Sequence, residues 1–229
     1  MALLLRGIRH SQAQAGSRLV RLPIPPTLMR RIKSTLARHA DSYDSILLWA
    51  ACFLWCGEFL VLDPSTFDPD THLSLDDVSL DTSTSRWFFL LTIKASKTDQ
   101  FHQGATVALG GTGTDLCPVD ALLDYLGRRG DLAGPLFCLE NGQPLQRRSF
   151  TTQVQQALSA SGVDGSLFNG HSFRLGAATS ASIAGVSESI IKRLGRWQSS
   201  AYQRYIRTPP SDLAHISQQL VAPDSSTNP

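Results

Sequence analysis

His171-Ser172-Phe173-Arg174 is the most informative stretch of this sequence. It is followed by Leu194-Gly195-Arg196-Trp197 and then by Tyr205. His171 and Arg174 lie three residues apart on a predicted helix, so their side chains share a face. Arginine binds phosphate bidentately and stays charged, whereas histidine exchanges protons near neutral pH. Tyrosine acts as a covalent nucleophile when a base or a positive field removes its proton. These residue types together suit the transfer of a phosphoryl group.

Three further residues complete this predicted site. Trp197, through its indole N–H, or Arg196 can donate a hydrogen bond to a non-bridging phosphate oxygen, and the sequence leaves both choices open. Lys97 lies in a predicted turn between two strands, where it can protonate a leaving oxygen. Guanidinium and ammonium groups supply the positive charge that magnesium supplies elsewhere. We therefore expect neither a metal ion nor a small-molecule cofactor.

Basic residues fall in two blocks of the chain, with an acidic segment between them. The formal net charge is only +2, but residues 1–40 carry eight Arg or Lys and no acid. Residues 143–209 carry eight more against Asp164 and Glu188. This distribution predicts a one-sided positive surface that binds a polyanion, with ordinary solvated helix faces as the alternative. The candidate contact residues are Arg147, Arg148, Lys192, Arg193, Arg204 and Arg207.

Composition indicates one globular core. The chain has 229 residues, of which 42% are hydrophobic and 17% charged, so a disordered protein is excluded. Its four cysteines make no disulfide framework in a chain of this length, and no His/Cys cluster has zinc spacing. The longest apolar run, 46–62, falls short of the roughly 20 residues of a membrane span. With no secretory signal pattern, we expect a soluble, intracellular protein.

Periodicity predicts a mainly α structure with one small β-hairpin, an α+β class. Helices are expected at 28–39, 43–60, 119–126, 149–161, 171–183, 187–195, 201–206 and 211–220, and strands at 87–93 and 105–109. Residues 63–86 are acidic and rich in Ser and Thr, which predicts a loop. Residues 1–26 are interpreted as a linker and the remnant of a missing N-terminal domain, 27–220 as the main domain, and 221–229 as a tail.

The C-terminal motifs resemble those of a known family. The runs His171-Ser172-Phe173-Arg174-Leu175-Gly176-Ala177-Ala178-Thr179, Ile191-Lys192-Arg193-Leu194-Gly195-Arg196-Trp197 and Tyr205-Ile206-Arg207 resemble the catalytic domain of tyrosine recombinases, the phage-integrase family. They are most similar to the recombinases of eukaryotic tyrosine-recombinase retrotransposons, as are Ser96-Lys97-Thr98-Asp99 and Cys117-Pro118-Val119. The resemblance covers roughly residues 28–220.

The resemblance implies a role for each matched residue. Tyr205 would attack a scissile DNA phosphate, leaving a 3′-phosphotyrosyl link and a free 5′-hydroxyl. Arg174 would be the second clamping arginine, His171 the proton-handling histidine and Lys97 the general acid. A further phosphate contact would fall at Arg196 or Trp197.

The resemblance also implies partners and a cellular setting. The partner would be double-stranded DNA, bound by a homo-oligomer without a membrane. The activity would be recombination and integration of DNA for a transposable element, in the nucleus.

One family position departs from the pattern. The first catalytic motif places an arginine three residues before an acid on a buried helix; here the acid matches Glu58, and the arginine position holds Trp55. Loss of one donor to the developing charge typically costs ~10²–10³ in rate. Enzyme activity is therefore left open. The alternatives are an impaired or domesticated domain that binds DNA or protein without cleavage, and a helical scaffold with no nucleic-acid role.

Overall fold

The structure, a computed structural model, consists of helices around one small antiparallel sheet. It describes residues 21–54, 60–63, 65, 67–94, 104–131, 133–197 and 200–206. The helices are α1 (Pro26–Leu36), α2 (Tyr43–Cys52), α3 (Pro118–Arg129), α4 (Arg147–Ala160), α5 (Gly170–Ile183) and α6 (Glu188–Gly195). The strands are β1 (Val78–Asp81), β2 (Phe88–Ile93) and β3 (Ala105–Gly110), and short 3₁₀ helices occupy Ala37–His39, Leu75–Asp77, Gly165–Leu167 and Ser200–Tyr205.

The sheet has the order β1-β2-β3, with both pairs antiparallel. Phe89, Leu91 and Ile93 alternate along β2 and are buried, so the central strand turns one face to the core. The register pairs Leu91 with Val107 on β3. Lys94, directly after β2, forms an ion pair of 2.8 Å with Asp77. That ion pair joins the sheet to the turn that precedes β1.

The main core lies between the sheet and helices α1 to α5. Helix α2 is apolar nearly all round and has Leu47, Leu48, Ala50, Ala51 and Cys52 buried, as expected for a central helix. Amphipathic helices α1, α3 and α4 pack around it. Among the described residues, Cys52, Cys117 and Cys138 are buried free thiols.

A buried polar network holds the segment between α3 and α4. The Tyr125 hydroxyl donates to the Leu136 carbonyl oxygen at 2.9 Å and accepts the Cys138 N–H at 3.0 Å. Arg129, only 7% exposed, donates to three backbone carbonyls, those of Leu136, Gly130 and Pro135. A buried guanidinium needs such a set of acceptors, so Arg129 has a structural role.

A second, smaller core lies at the C-terminal side of the described chain. Ala178 of α5, Ile191 of α6 and Tyr202 of the last 3₁₀ helix are buried together. We call these three residues the C-terminal cluster. It brings together the three elements that carry the predicted catalytic motifs.

The predicted class, mainly helical with a small sheet, is confirmed. The hairpin predicted at 87–93 and 105–109 is β2–β3. The loop predicted over 63–86 is wrong at Val78–Asp81, which pairs with β2 as an edge strand. Its side chains are mostly solvent-accessible, so the sequence lacks the apolar alternation of a buried strand. The helix predicted at 43–60 ends at Cys52, where the chain turns and Phe53 packs against Trp49, with ring centroids 4.9 Å apart.

Two negative observations concern the described part of the chain. Its helices are too short or too polar to cross a bilayer. Across these same residues, His, Cys, Asp and Glu form no group of three or more with the geometry of a metal site.

Candidate functional site

The first turn of α5 is fixed by a capping box. The Asn169 side chain accepts the His171 backbone N–H at 2.9 Å, and the Ser172 hydroxyl accepts the Asn169 N–H at 3.0 Å. Such reciprocal bonds satisfy donors that a helix start leaves open. His171 is exposed and Arg174, one turn later, is half-buried. Because the two residues are three apart on one helix, they lie on the same side of it.

Arg174 points from α5 to the end of α6. Its Nη2 donates a hydrogen bond to the carbonyl oxygen of Gly195, and its Cζ lies 4.9 Å from the centroid of the Trp197 ring. The carbonyls at a helix C-terminus carry partial negative charge, and an indole face attracts a cation. Both contacts fix the direction of the guanidinium.

The turn after α6 places the Trp197 ring against Gly195. Arg196 adopts a left-handed conformation with φ of 54°, and the Trp197 N–H donates to the Lys192 carbonyl oxygen at 2.9 Å. A Cβ atom at position 195 would lie 1.8 Å from Cζ3 of the Trp197 ring. Only glycine therefore allows the ring to cover the end of the helix.

The 3₁₀ helix Ser200–Tyr205 packs against both α5 and α6. Its anchor is Tyr202, which is 1% exposed and lies 6.3 Å from Trp197 between ring centroids. A hydrogen bond to Glu188, together with burial, raises the pKa of Tyr202. Tyr202 is therefore a neutral packing residue. Tyr205 belongs to the same 3₁₀ helix, but its side chain lies outside the description.

Two of the basic residues predicted to contact a polyanion lie at the start of α4. Arg147 and Arg148 are exposed in its first turn, where the N-terminal end of the helix dipole adds positive potential. One turn later, Phe150 contacts Phe173 of α5, with ring centroids 5.7 Å apart. This aromatic contact fixes the start of α4 relative to the helix that carries Arg174.

The end of α6 carries two further predicted contacts. Lys192 is half-buried, with Nζ 5.1 Å from the centroid of the Tyr202 ring, and Arg193 is exposed. The same turn thus presents these two cations together with Arg196.

The structure brings some of the predicted site residues together and leaves others outside its description. Arg174, Arg196 and Trp197 converge where α5 meets the end of α6, and His171 precedes Arg174 by one turn. Lys97, Arg207, Trp55 and Glu58 lie outside the described residues, as does the side chain of Arg204.

Three supporting residues escaped the sequence interpretation: Asn169, Gly195 and Tyr202. Asn169 carries a recognisable signal, since asparagine directly before a helix is a favoured N-cap. Gly195 belongs to the quoted motif, but its contact with the Trp197 ring depends on tertiary structure. Nothing in the sequence marks Tyr202 as a buried anchor.

Solved structures of two recombinases superpose on this arrangement of helices and strands. The crystal structure of XerA recombinase superposes with a TM-score of 0.61 at 14% identity, over 89% of this chain and 66% of that chain. XerH site-specific recombinase, bound to palindromic difH substrate in a post-cleavage complex, gives a TM-score of 0.61 at 13% identity, over 87% of this chain and 53% of that chain. The chain adopts the tyrosine-recombinase fold. It spans between about half and two thirds of the lengths of these two proteins.

Comparison of sequences gives no match beyond this structural likeness. No family model matches the chain, and no curated protein matches it either. At 13–14% identity the structural likeness establishes the fold alone, because one fold serves many chemistries.

Proposed function

We propose that this chain is a DNA-binding recombinase domain of the tyrosine type, which cleaves and rejoins DNA strands through a 3′-phosphotyrosyl intermediate. The observation that carries this proposal is the convergence of Arg174, the Arg196–Trp197 turn and the 3₁₀ helix of Tyr205 around the C-terminal cluster. Arg174 is held in a fixed direction, and its helix packs against the 3₁₀ helix that includes Tyr205; a positioned guanidinium and a candidate nucleophile on adjacent elements suit phosphoryl transfer.

In the proposed reaction, the Tyr205 oxygen attacks the scissile phosphorus and the bond from phosphorus to the 5′-oxygen breaks. His171 takes up the tyrosine proton, and Lys97 donates a proton to the leaving 5′-oxygen. Arg174, with Arg196 or Trp197, offsets the charge that develops on the non-bridging oxygens. A 5′-hydroxyl then attacks the phosphotyrosine and restores the DNA backbone.

The geometry around Trp197 favours Arg196 as the direct phosphate contact. The indole ring already lies over the Arg174 guanidinium, which supports a role as a platform for that group. Arg196 keeps its left-handed backbone although glycine would adopt it with less strain. A charged residue at a strained backbone position is consistent with a functional side chain.

Binding without cleavage is the second candidate. Trp55, at the position of the first family arginine, cannot supply a cationic clamp. Arg147, Arg148 and Arg193 remain exposed, so phosphate contacts survive this loss.

The cellular role is proposed from sequence resemblance. The similarity of residues 171–179 and 191–197 to retrotransposon recombinases supports integration of a transposable element. On this proposal the chain acts in the nucleus, on double-stranded DNA and as a homo-oligomer.

Covalent trapping tests cleavage. The full chain is incubated with a pool of nicked duplexes of randomised sequence, so that a cleaved strand end is lost by diffusion and the adduct accumulates. A detergent-resistant adduct in the wild type, absent in Tyr205→Phe, supports cleavage. If the wild type forms no adduct and Trp55→Arg forms one, Trp55 abolishes cleavage, which supports binding without cleavage as the function. If neither forms an adduct, strand cleavage is refuted.

A salt titration of DNA affinity tests binding independently. Each phosphate contact contributes about 0.9 to the slope of log K against log[salt]. Replacing both Arg147 and Arg148 by alanine should therefore reduce the slope by about 2, whereas Arg128→Ala, outside the two basic blocks, should leave it unchanged. A wild-type affinity independent of salt would refute the basic-surface argument.

A further inference from the structure

The chain that enters the domain lies directly on the backbone of α5. Residues 21–25 are extended and form what we call the strap. The Leu22 N–H donates to the Leu167 carbonyl oxygen at 3.1 Å, and the Ile24 N–H donates to the Ser172 carbonyl oxygen at 2.9 Å. The Arg21 side chain adds a hydrogen bond to the Ser166 carbonyl oxygen. Three bonds thus tie the strap to α5 and to the turn before it.

Gly176 makes this close approach possible. A Cβ atom at position 176 would lie 1.9 Å from the Ile24 carbonyl oxygen and 2.5 Å from its carbonyl carbon. These are backbone atoms of a residue that is itself 3% exposed, so they have little room to move. Glycine in mid-helix is unfavourable compared with alanine, and here the close contact accounts for it.

The strap and Arg174 lie on opposite sides of α5. At 3.6 residues per turn, position 174 is roughly 160° around the helix from both Ser172 and Gly176. On its far side, Arg174 contacts Gly195 and Trp197. The helix is therefore held between the strap on one side and the end of α6 on the other.

The same strap leads without a break into α1. Pro25 is the N-cap of that helix, which begins at Pro26, and α1 packs against α4. Phe150 of α4 in turn contacts Phe173 of α5. A shift of the strap would thus change the position of α5 relative to the basic start of α4.

We propose that the strap and Gly176 position α5. Displacement of the strap would then move Arg174 and weaken its binding to a DNA phosphate. Gly176 and Ile24 are positioning residues, since neither faces the site. A displacement of the chain before Arg21 would reach the site through the strap. This inference rests on the proposed function for its DNA readout, but the position of Arg174 can be followed without DNA.

Three full-chain variants test the strap. Gly176→Ala forces the Ile24 carbonyl away. Leu22→Pro removes one strap N–H, and because Leu22 is 40% exposed it should fold even if Gly176→Ala does not. Gly127→Ala is the matched control, since this exposed helical glycine in α3 has nothing within 4 Å of an added Cβ.

Three measurements are made on each variant that is folded by circular dichroism. They are hydrogen exchange of the Ile24 amide, the NMR signal of the Arg174 guanidinium N–H, and affinity for a duplex oligonucleotide. Both strap variants should accelerate Ile24 exchange, shift the Arg174 signal and lower affinity by roughly 2- to 30-fold, the range typical of coupling through a packed network. Gly127→Ala should change none of these.

The outcomes separate this inference from the proposed function. Faster Ile24 exchange with an unchanged Arg174 signal would mean that the strap is merely structural, which overturns the proposal. Unchanged Ile24 exchange in both strap variants would overturn it as well. If the strap variants shift the Arg174 signal but the wild type binds no DNA, the strap inference stands and the proposed function is refuted.

Discussion

Replacing Gly195 by alanine tests how Arg174 is held. The new Cβ would lie 1.8, 2.1 and 2.4 Å from three atoms of the Trp197 ring, whereas carbon atoms rest at about 3.5–4.0 Å. The ring must therefore move by about 1.5–2 Å. That movement separates it from the Arg174 guanidinium, at present 4.9 Å from its centroid, and from the ring of Tyr202.

Two opposing effects set the magnitude. Alanine gains up to about 1 kcal/mol of helix propensity over glycine. Loss of the cation–π contact costs about 0.5–2 kcal/mol, and the displaced ring gives up packing worth about 1–2 kcal/mol more. We expect Gly195→Ala to lower the free energy of unfolding by about 1–2 kcal/mol.

Gly127→Ala supplies the reference for helix propensity. It adds a Cβ with nothing within 4 Å, so it should raise the free energy of unfolding by about 0.5–1 kcal/mol. Urea denaturation followed by circular dichroism measures both variants, and the same samples are titrated with duplex DNA. If Gly195→Ala were as stable as Gly127→Ala and bound DNA like the wild type, the Trp197 platform would play no part in holding Arg174.

Three further changes probe the surroundings of the site. Trp197→Phe, which keeps an aromatic face but lacks the indole N–H, should retain most DNA affinity if the ring is a platform for Arg174; affinity as low as that of Trp197→Ala would instead identify the N–H as a phosphate donor. Arg196→Gly should raise the free energy of unfolding by about 0.5–1 kcal/mol, because glycine adopts the left-handed backbone without strain. It should also reduce the salt slope of DNA affinity by about 1. A lower free energy of unfolding would contradict the inference that the backbone at Arg196 is strained. Burial opposes ionisation of Asp77, but hydrogen bonds from Lys94 and Ser74 outweigh it and hold its pKa below the usual 3.8. Asp77 therefore stabilises the fold above pH 3.8, and this contribution disappears as the pH falls through the lowered pKa. Asp77→Asn should flatten that acid limb of the stability curve, as measured by thermal unfolding from pH 2 to 7, and an unchanged limb would exclude Asp77 as its source.

The helices could be predicted where local chemistry decides them. The range predicted for α5 differs by one residue from the observed Gly170–Ile183, because Gly185 marks its C-terminal end. Strand β1 could not be predicted, because it forms by pairing with β2 and has mostly exposed side chains. For an edge strand, the partner supplies the stabilisation that its own sequence lacks.

For the candidate site, the sequence predicts individual residues but not the contacts between them. Residue types and spacing identified Arg174 and Trp197 as functional candidates. Their mutual contact could not be derived, because it depends on the left-handed turn at Arg196 and on the space above Gly195. Nor could sequence spacing show that Ile24 lies against Gly176, since the two are 152 positions apart in the chain.

The contacts that fix Arg174 lower the entropic cost of binding a phosphate. A long arginine side chain that moves freely in solvent loses up to about 2 kcal/mol of rotamer entropy when a ligand orders it. Here the Gly195 carbonyl and the Trp197 ring impose that order when the domain folds. A phosphate arriving at this guanidinium would therefore meet a group already oriented, and most of the ordering cost would fall on folding instead of on binding.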